Sequence, residues 1–349
     1  MTEEFIADSL EKLALVGLLI AIALGVAAYS TWAERKVAAF LQDRLGPNRA
    51  GVFGLLQPLA DGLKLFSKEE IVPKDSNKFL FILGPALAMI VACMTGAVIP
   101  WSTPFEFGDR LVVPQIADVN IGFLYILGVL SLGVYGIMIG AWASNNKYSL
   151  MGGLRAASQI ISYELPMGIA LITVLMITGS LKLSDIVNYQ QDQYWMVILQ
   201  PLGFLIFLIC SFAETNRTPF DLPEAENELI GGYHSEYSSM KMGFFLFAEY
   251  VNMFISSAII ATLYFGGYDI PFVNDNQLVD AVGNNWAAVI HFAVLFAKTS
   301  FFIFFYMWVR WTIPRFRYDQ LMNLGWKKLL PLALVNMLIT GLIILLLNN

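Results

Sequence analysis

Residues 121–142 read IGFLYILGVLSLGVYGIMIGAW, a run without Asp, Glu, Lys, Arg or His. A surface helix of a soluble protein shows a polar face every few residues, and this run has none. At 1.5 Å per residue it is about 33 Å long as a helix, enough to cross the hydrocarbon core of a bilayer. Seven other runs are comparably long and apolar, 13–32, 79–99, 156–179, 194–213, 242–264, 287–311 and 329–347, and four of them also lack Asp, Glu, Lys, Arg and His. The sequence therefore predicts an all-α polytopic membrane protein, one integral membrane domain over 1–349 with about eight transmembrane helices. With 57% hydrophobic and only 14% charged residues the composition agrees, because soluble domains carry about 25% charged residues. The runs are too long and uniform for a β-barrel. A formal charge of -6 and the lack of a basic patch argue against nucleic acid.

Basic residues set the orientation. Segments 33–78, 143–155, 214–241 and 312–328, with Arg310 at the edge, hold 17 Lys and Arg; the alternate segments hold 3. The expected arrangement has both termini facing outward and the basic loops facing the cytoplasm, two of them long, 33–78 and 214–241. The acidic first dozen residues do not suit a cleaved signal peptide.

The loop 33–78 has an amphipathic middle. Leu56, Leu59, Leu63 and Phe66 fall on one helical face, and Gln57, Asp61, Lys64 and Lys68 on another. Pro58 suits the first turn. Such a helix is too short to span and should lie in the interface plane. Its plain reading is a surface helix with a solvated basic face. The sharper one is a docking surface, or the floor of an opening at the membrane surface, with Arg35, Arg44 and Arg49 available to partner acids.

Charged groups inside spans cost about 2.5–3.5 kcal/mol at the centre and are functional candidates for that reason. Glu164 lies in the fourth run, Glu249 in the sixth, and His291 and Lys298 in the seventh. Glu214 closes the fifth. Asn252 and Ser256 continue the Glu249 face inward. The pattern suggests acids descending from the cytoplasmic side toward a central lysine, a graded set suited to proton exchange. The alternative is packing glue, such as a Glu249–Lys298 pair. Cys93, Cys210, His234 and His291 are too few and too scattered for a disulfide framework, an iron–sulfur cluster, a dinuclear metal site or bis-histidine haem ligation.

The second loop, AETNRTPFDLPEAENEL at 213–229, carries Glu214, Asp221, Glu224, Glu226 and Glu228 against one basic residue, Arg217. Phe220, Leu222 and Leu229 alternate with the acids, so the loop should pack against something rather than sit in water. Together with AERKVAAFLQDRLGPNRAG at 33–51 and SNNKYSLMGGLRAASQIISYELP at 144–166, it closely resembles the H-type membrane subunits of bacterial NADH:quinone oxidoreductase, respiratory complex I. That family is the counterpart of mitochondrial complex I subunit 1. The resemblance is collinear over essentially the whole chain. It implies a place at the junction of a hydrophilic arm and a membrane arm. The first, sixth and amphipathic helices would form the opening of a quinone chamber, and the reacting centre would lie mostly on partner subunits. Glu164, Glu214, Glu249 and Lys298 match the intramembrane charges of proton or charge coupling. Asp221, Glu224, Glu226 and Glu228 match the acidic loop facing the chamber, beside Arg217. Arg35, Arg44, Asp61, Lys64 and Phe220 match the loop and opening. Some relatives carry another acid in the third span; 121–142 has none. The implied substrate is a quinone, ubiquinone or menaquinone. The implied FMN and iron–sulfur clusters sit on partner subunits, and the implied contacts are those subunits and the lipid bilayer. Other readings remain: the homologous membrane subunit of an energy-converting hydrogenase, a stand-alone secondary transporter, or a structural anchor.

Overall fold

A computed structural model describes residues 2–108, 110–224, 226–271, 273 and 275–348, without the side chains of 2–5, 7, 226, 227, 276, 277 and 348. The chain is a helical bundle with one small hairpin. Its helices are α1 (Thr2–Leu41), α2 (Gln57–Ser67), α3 (Lys78–Thr95), α4 (Gly122–Ala143), α5 (Lys147–Thr178), α6 (Leu183–Asp192) and α7 (Met196–Leu199). There follow α8 (Pro201–Glu214), α9 (Glu226–Leu229), α10 (Ser239–Tyr264), α11 (Asp275–Val282), α12 (Asn284–Thr312), α13 (Tyr318–Asn323) and α14 (Leu330–Asn348). A π-helical stretch, Leu324–Leu329, joins the last two into one rod. Strands β1 (Phe105–Phe107) and β2 (Arg110–Val112) pair antiparallel, Glu106 opposite Leu111.

Among the described residues seven helices are long and apolar enough to cross a membrane, and α8 is a shorter apolar eighth. The chain is a multi-pass membrane protein. Several helices outrun the expected boundaries, α5 beginning at Lys147 rather than 156, and two departures stand out. The first helix does not end at residue 32: it runs to Leu41, because AERKVAAFL holds no Gly or Pro and is mostly good helix formers. The loop begins only at Gln42, just before the Gly46-Pro47 turn. The run 194–213 is not one helix. Pro201 disfavours helical backbone at the residue before it, and Gln200 takes φ -132°, ψ 59°. The amide of Gln200 serves the break by donating to Thr340 (2.8 Å) and accepting from Asn336 (3.0 Å), both on α14.

Packing relies on small residues, as lipid supplies no hydrophobic drive between helices. A side chain at Gly84 of α3 would come within 2.7 Å of the Gly140 backbone of α4, and one at Gly136 within 2.8 Å of Ala88. These glycines let α3 and α4 touch along their length. The amphipathic helix forms as expected, with Pro58 in its first turn. Its apolar residues Leu59, Leu63 and Phe66 are exposed, while α1 and α10 lie against it.

Candidate functional site

The acidic loop does not sit in solvent. Every residue from Ala213 to Leu222 is buried, so its charges need partners inside the protein. Arg217 finds Glu34 of α1, Nη1 to Oε2 at 3.1 Å, with both side chains almost fully enclosed. Glu34 also takes Arg310 of α12 at 2.5 Å and the Tyr250 hydroxyl of α10 at 2.7 Å. The Arg217 guanidinium lies 4.1 Å from the Tyr250 ring centre. Burial opposes the Arg217 charge, but Tyr250, Glu34 and Glu249 around it more than offset this, and its pKa lies above the usual arginine value. Arg310 thus joins a buried cluster rather than simply reaching for water at the end of its span.

Asp221, in the same loop, is bonded by Arg315 at 2.7 Å. Burial and neighbouring Glu224 push its carboxyl up to about 7, against the opposing pull of Arg315, Arg310 and Arg217. Glu224 faces His234 at 3.7 Å, and Glu228 bonds Arg155 of α5 at 2.6 Å. The Glu226 side chain lies outside the described residues.

A cavity of about 700 Å³ opens between α1, α2 and α10, within the size range of small-molecule sites. Glu34, Arg35, Asp61, Lys64, Tyr250 and Arg310 supply its polar wall; Leu65, Met242, Leu246, Phe247 and Trp311 supply an apolar one. Arg35 is committed to Asp61 at 2.9 Å within the chain. Arg44 bonds Gln42 in the exposed turn and does not line the cavity.

Deeper in, Tyr233 donates to Glu249 at 2.8 Å. Glu249, Asn252 and Glu214 line one water-sized cavity of about 30 Å³, closed by Tyr233, Thr215 and Asn216. Glu214 and Ser256 also share a smaller apolar gap. Glu164 is an electrostatic neighbour of Glu214 and is bonded by Ser131 of α4. The third span, which has no acid of its own, thus meets Glu164 through the Ser131 hydroxyl. Carboxylates from α1, α10, α8 and α5 are brought into succession, from Glu34 at the wall of the large cavity through Glu249 and Glu214 to Glu164.

Two expected members are elsewhere. Lys298 does not meet the acids. Its ammonium donates to the backbone carbonyls of Phe265 (2.7 Å), Gly267 (2.9 Å) and Asp269 (2.6 Å), at the opposite end of α10. The Trp195 ring lies 4.6 Å from its Nζ. The Glu249–Lys298 pair is therefore not formed. The reason is local: α10 ends at Tyr264, the turn after it presents the carbonyls of Phe265, Gly267 and Asp269 outside any helix, and a cation satisfies them. Phe220 is a packing residue, buried against Tyr163 and Phe316 at ring distances of 5.3 and 5.4 Å. Among the described residues no three His, Cys, Asp or Glu side chains are grouped to hold a metal.

The family model for NADH dehydrogenase matches residues 13–341. The chain belongs to the NADH dehydrogenase family. It is 64% identical over 336 residues to the NADH-quinone oxidoreductase H subunit of Flavobacterium johnsoniae, covering 96% of this chain and 95% of that one. Identity to the corresponding H subunit of Flavobacterium psychrophilum is 62%, over 97% and 98% of the two chains. The "NADH-quinone oxidoreductase subunit 8" of Rhodothermus marinus is 50% identical over 93% and 94%.

In this NADH dehydrogenase family member, several residues of the site escape a reading by sequence motif. Glu34, Tyr250, Arg310, Tyr233 and Arg315 belong to the network as fully as Glu249 does. A signal existed for one of them. Glu34 opens a stretch without helix breakers, so extending α1 past residue 32 would have set it on a spanning helix rather than in a loop. Tyr250 and Tyr233 carry no charge, and only the fold identifies their partners.

Proposed function

We propose that this chain is the membrane subunit of a proton-pumping NADH:quinone oxidoreductase. It forms part of the chamber that admits the quinone and couples quinone reduction to proton translocation. FMN and iron–sulfur clusters reside on partner subunits, and the chain alone holds no complete active site. The loops 214–241 and 42–77 face the cytoplasm, toward the hydrophilic connecting subunits, and both termini face the periplasm. The names carried by close relatives support the NADH-linked reading over a hydrogenase.

One observation carries the proposal: the 700 Å³ cavity ends on Glu34, Tyr250 and Arg310, and these surround Arg217, which is in turn an electrostatic neighbour of Glu249. A lipophilic quinone enters from the bilayer between α1, α2 and α10. The apolar wall suits an isoprenoid tail, and the Arg35, Asp61 and Lys64 wall passes the polar headgroup. Two electrons from carriers on the partner subunits and two protons taken from groups of the chamber convert the quinone to quinol, and the loss of those protons leaves the chamber more negative. Asp221 and Glu224 respond first. Glu249, Glu214 and Glu164 then relay the change toward neighbouring membrane subunits. Unit charges 4 Å apart at an effective dielectric near 20 interact by about 4 kcal/mol, enough to shift a coupled set of protons.

Gly243 tests the route. It lines the cavity, and a side chain there meets Leu65 at 3.2 Å. In the assembled enzyme, Gly243→Phe is expected to raise KM for a long-tailed quinone several-fold while sparing a short-tailed one. Equal effects on both, or none on either, would contradict the route.

A further inference from the structure

A second large cavity, of about 500 Å³, lies at the end of the bundle away from the acidic loop. Leu15, Leu18, Leu19 and Ile22 of α1 form one wall, Ala288, Val289 and Phe292 of α12 another, and the β1–β2 hairpin region with Trp101 the roof. None of the proposed coupling residues lines it.

We propose that this cavity holds one acyl chain of a phospholipid with an ammonium headgroup. Three observations favour that occupant. First, both walls are membrane-crossing helices, so the cavity lies beside hydrocarbon and fills with what surrounds it. Water on so apolar a surface is unfavourable, and an empty gap forfeits dispersion contacts along every wall. Second, the neighbouring surface is itself lipid-like: Leu18 is 57% and Val289 56% exposed, so the cavity is a recess in an apolar flank rather than a closed void. Third, the polar groups gather at the rim and are mostly satisfied. Ser102 donates to the Ala288 carbonyl, Gln115 to the Val98 carbonyl, and Asn285 accepts from the Glu106 amide. Two rim groups stand apart. The Glu106 side chain is exposed and its carboxylate complements an ammonium. The Trp101 Nε1–H, buried and without an acceptor among the described residues, complements an ester carbonyl. Tryptophan at an interface commonly serves that level of the bilayer.

The test uses the assembled complex in vesicles containing phosphatidylethanolamine with a photoreactive acyl chain. Cross-links are mapped by peptide mass spectrometry, with exposed Leu338 and Leu342 of α14 reporting bulk lipid. Labelling of residues 15–22 and 285–292 is expected to exceed that of α14 several-fold. It should fall to the bulk level in Leu18→Trp and in Val289→Trp, two exposed positions whose enlargement does not disturb the core. Replacing the probe by its phosphatidylglycerol analogue should weaken the excess. Labelling equal to bulk in the unaltered complex would overturn the proposal. So would complete protection of the site, which would mean that a helix from a partner covers it, or preferential labelling by a photoreactive quinone.

Discussion

Arg217 and Glu34 lie 183 positions apart and meet at 3.1 Å, each with its side chain almost wholly enclosed. This contact ties the acidic loop to the end of α1 and sets one wall of the proposed quinone cavity. A buried ion pair is weak evidence for stability as such, but breaking one leaves an uncompensated charge and costs about 3–5 kcal/mol. Glu34→Gln strands Arg217 and Arg310 together and is expected to lower the amount of assembled complex and its thermal inactivation midpoint. Arg310→Gln in the Glu34→Gln background should recover part of the loss. Blue-native gels and inactivation curves read both.

Asp221 sets a pH dependence. Its carboxyl rises from 3.8 to about 7 on folding, chiefly through burial and Glu224. The folded chain therefore binds this proton more tightly than the unfolded one. Between those two values stability declines as pH rises, and above about 7 the full cost of the buried carboxylate is present. An infrared difference spectrum should contain a carboxyl C=O band that disappears as pH passes through about 7 and is missing in Asp221→Asn. A band unaffected by that substitution would assign the titration to another group.

Tyr233 holds Glu249 by a hydrogen bond of 2.8 Å. A typical intramolecular hydrogen bond contributes about 0.5–1.5 kcal/mol. Tyr233→Phe should leave the fold intact and reduce pumped protons per electron more than it reduces quinone turnover. Paired measurements of both rates in vesicles check this.

Lys298 is expected to matter for structure alone. Lys298→Met removes three bonds to the Phe265, Gly267 and Asp269 carbonyls. A loss on the order of 3 kcal/mol follows, seen as faster amide exchange at the end of α10. The pumping ratio and its pH profile should not change in the complex that still assembles. A changed ratio would return Lys298 to the coupling set.

How much of this was legible in the sequence differs from residue to residue. Apolar runs and the α2 pattern follow from periodicity, a local property, and α2 begins where Pro58 directs. The acids Glu164, Glu214 and Glu249 stand out because charge is costly in a membrane. Partners of those acids are not local. Glu34 meets Tyr250 across 216 positions, and no spacing rule connects them. Lys298 shows the converse: its position in an apolar run suggests a meeting with acids, whereas the non-helical turn after α10 also demands a donor for its carbonyls. Gln200 could have been read, since the Pro after it marks the break in the fifth run.

The relay through Glu214 is tested most directly by Glu214→Gln in the assembled enzyme in sealed vesicles, recording quinone reduction and proton uptake together. The substitution keeps the shape of the side chain and removes its proton exchange. Pumped protons per electron should fall sharply while quinone binding persists. Wild-type turnover with an undiminished proton ratio would contradict the relay.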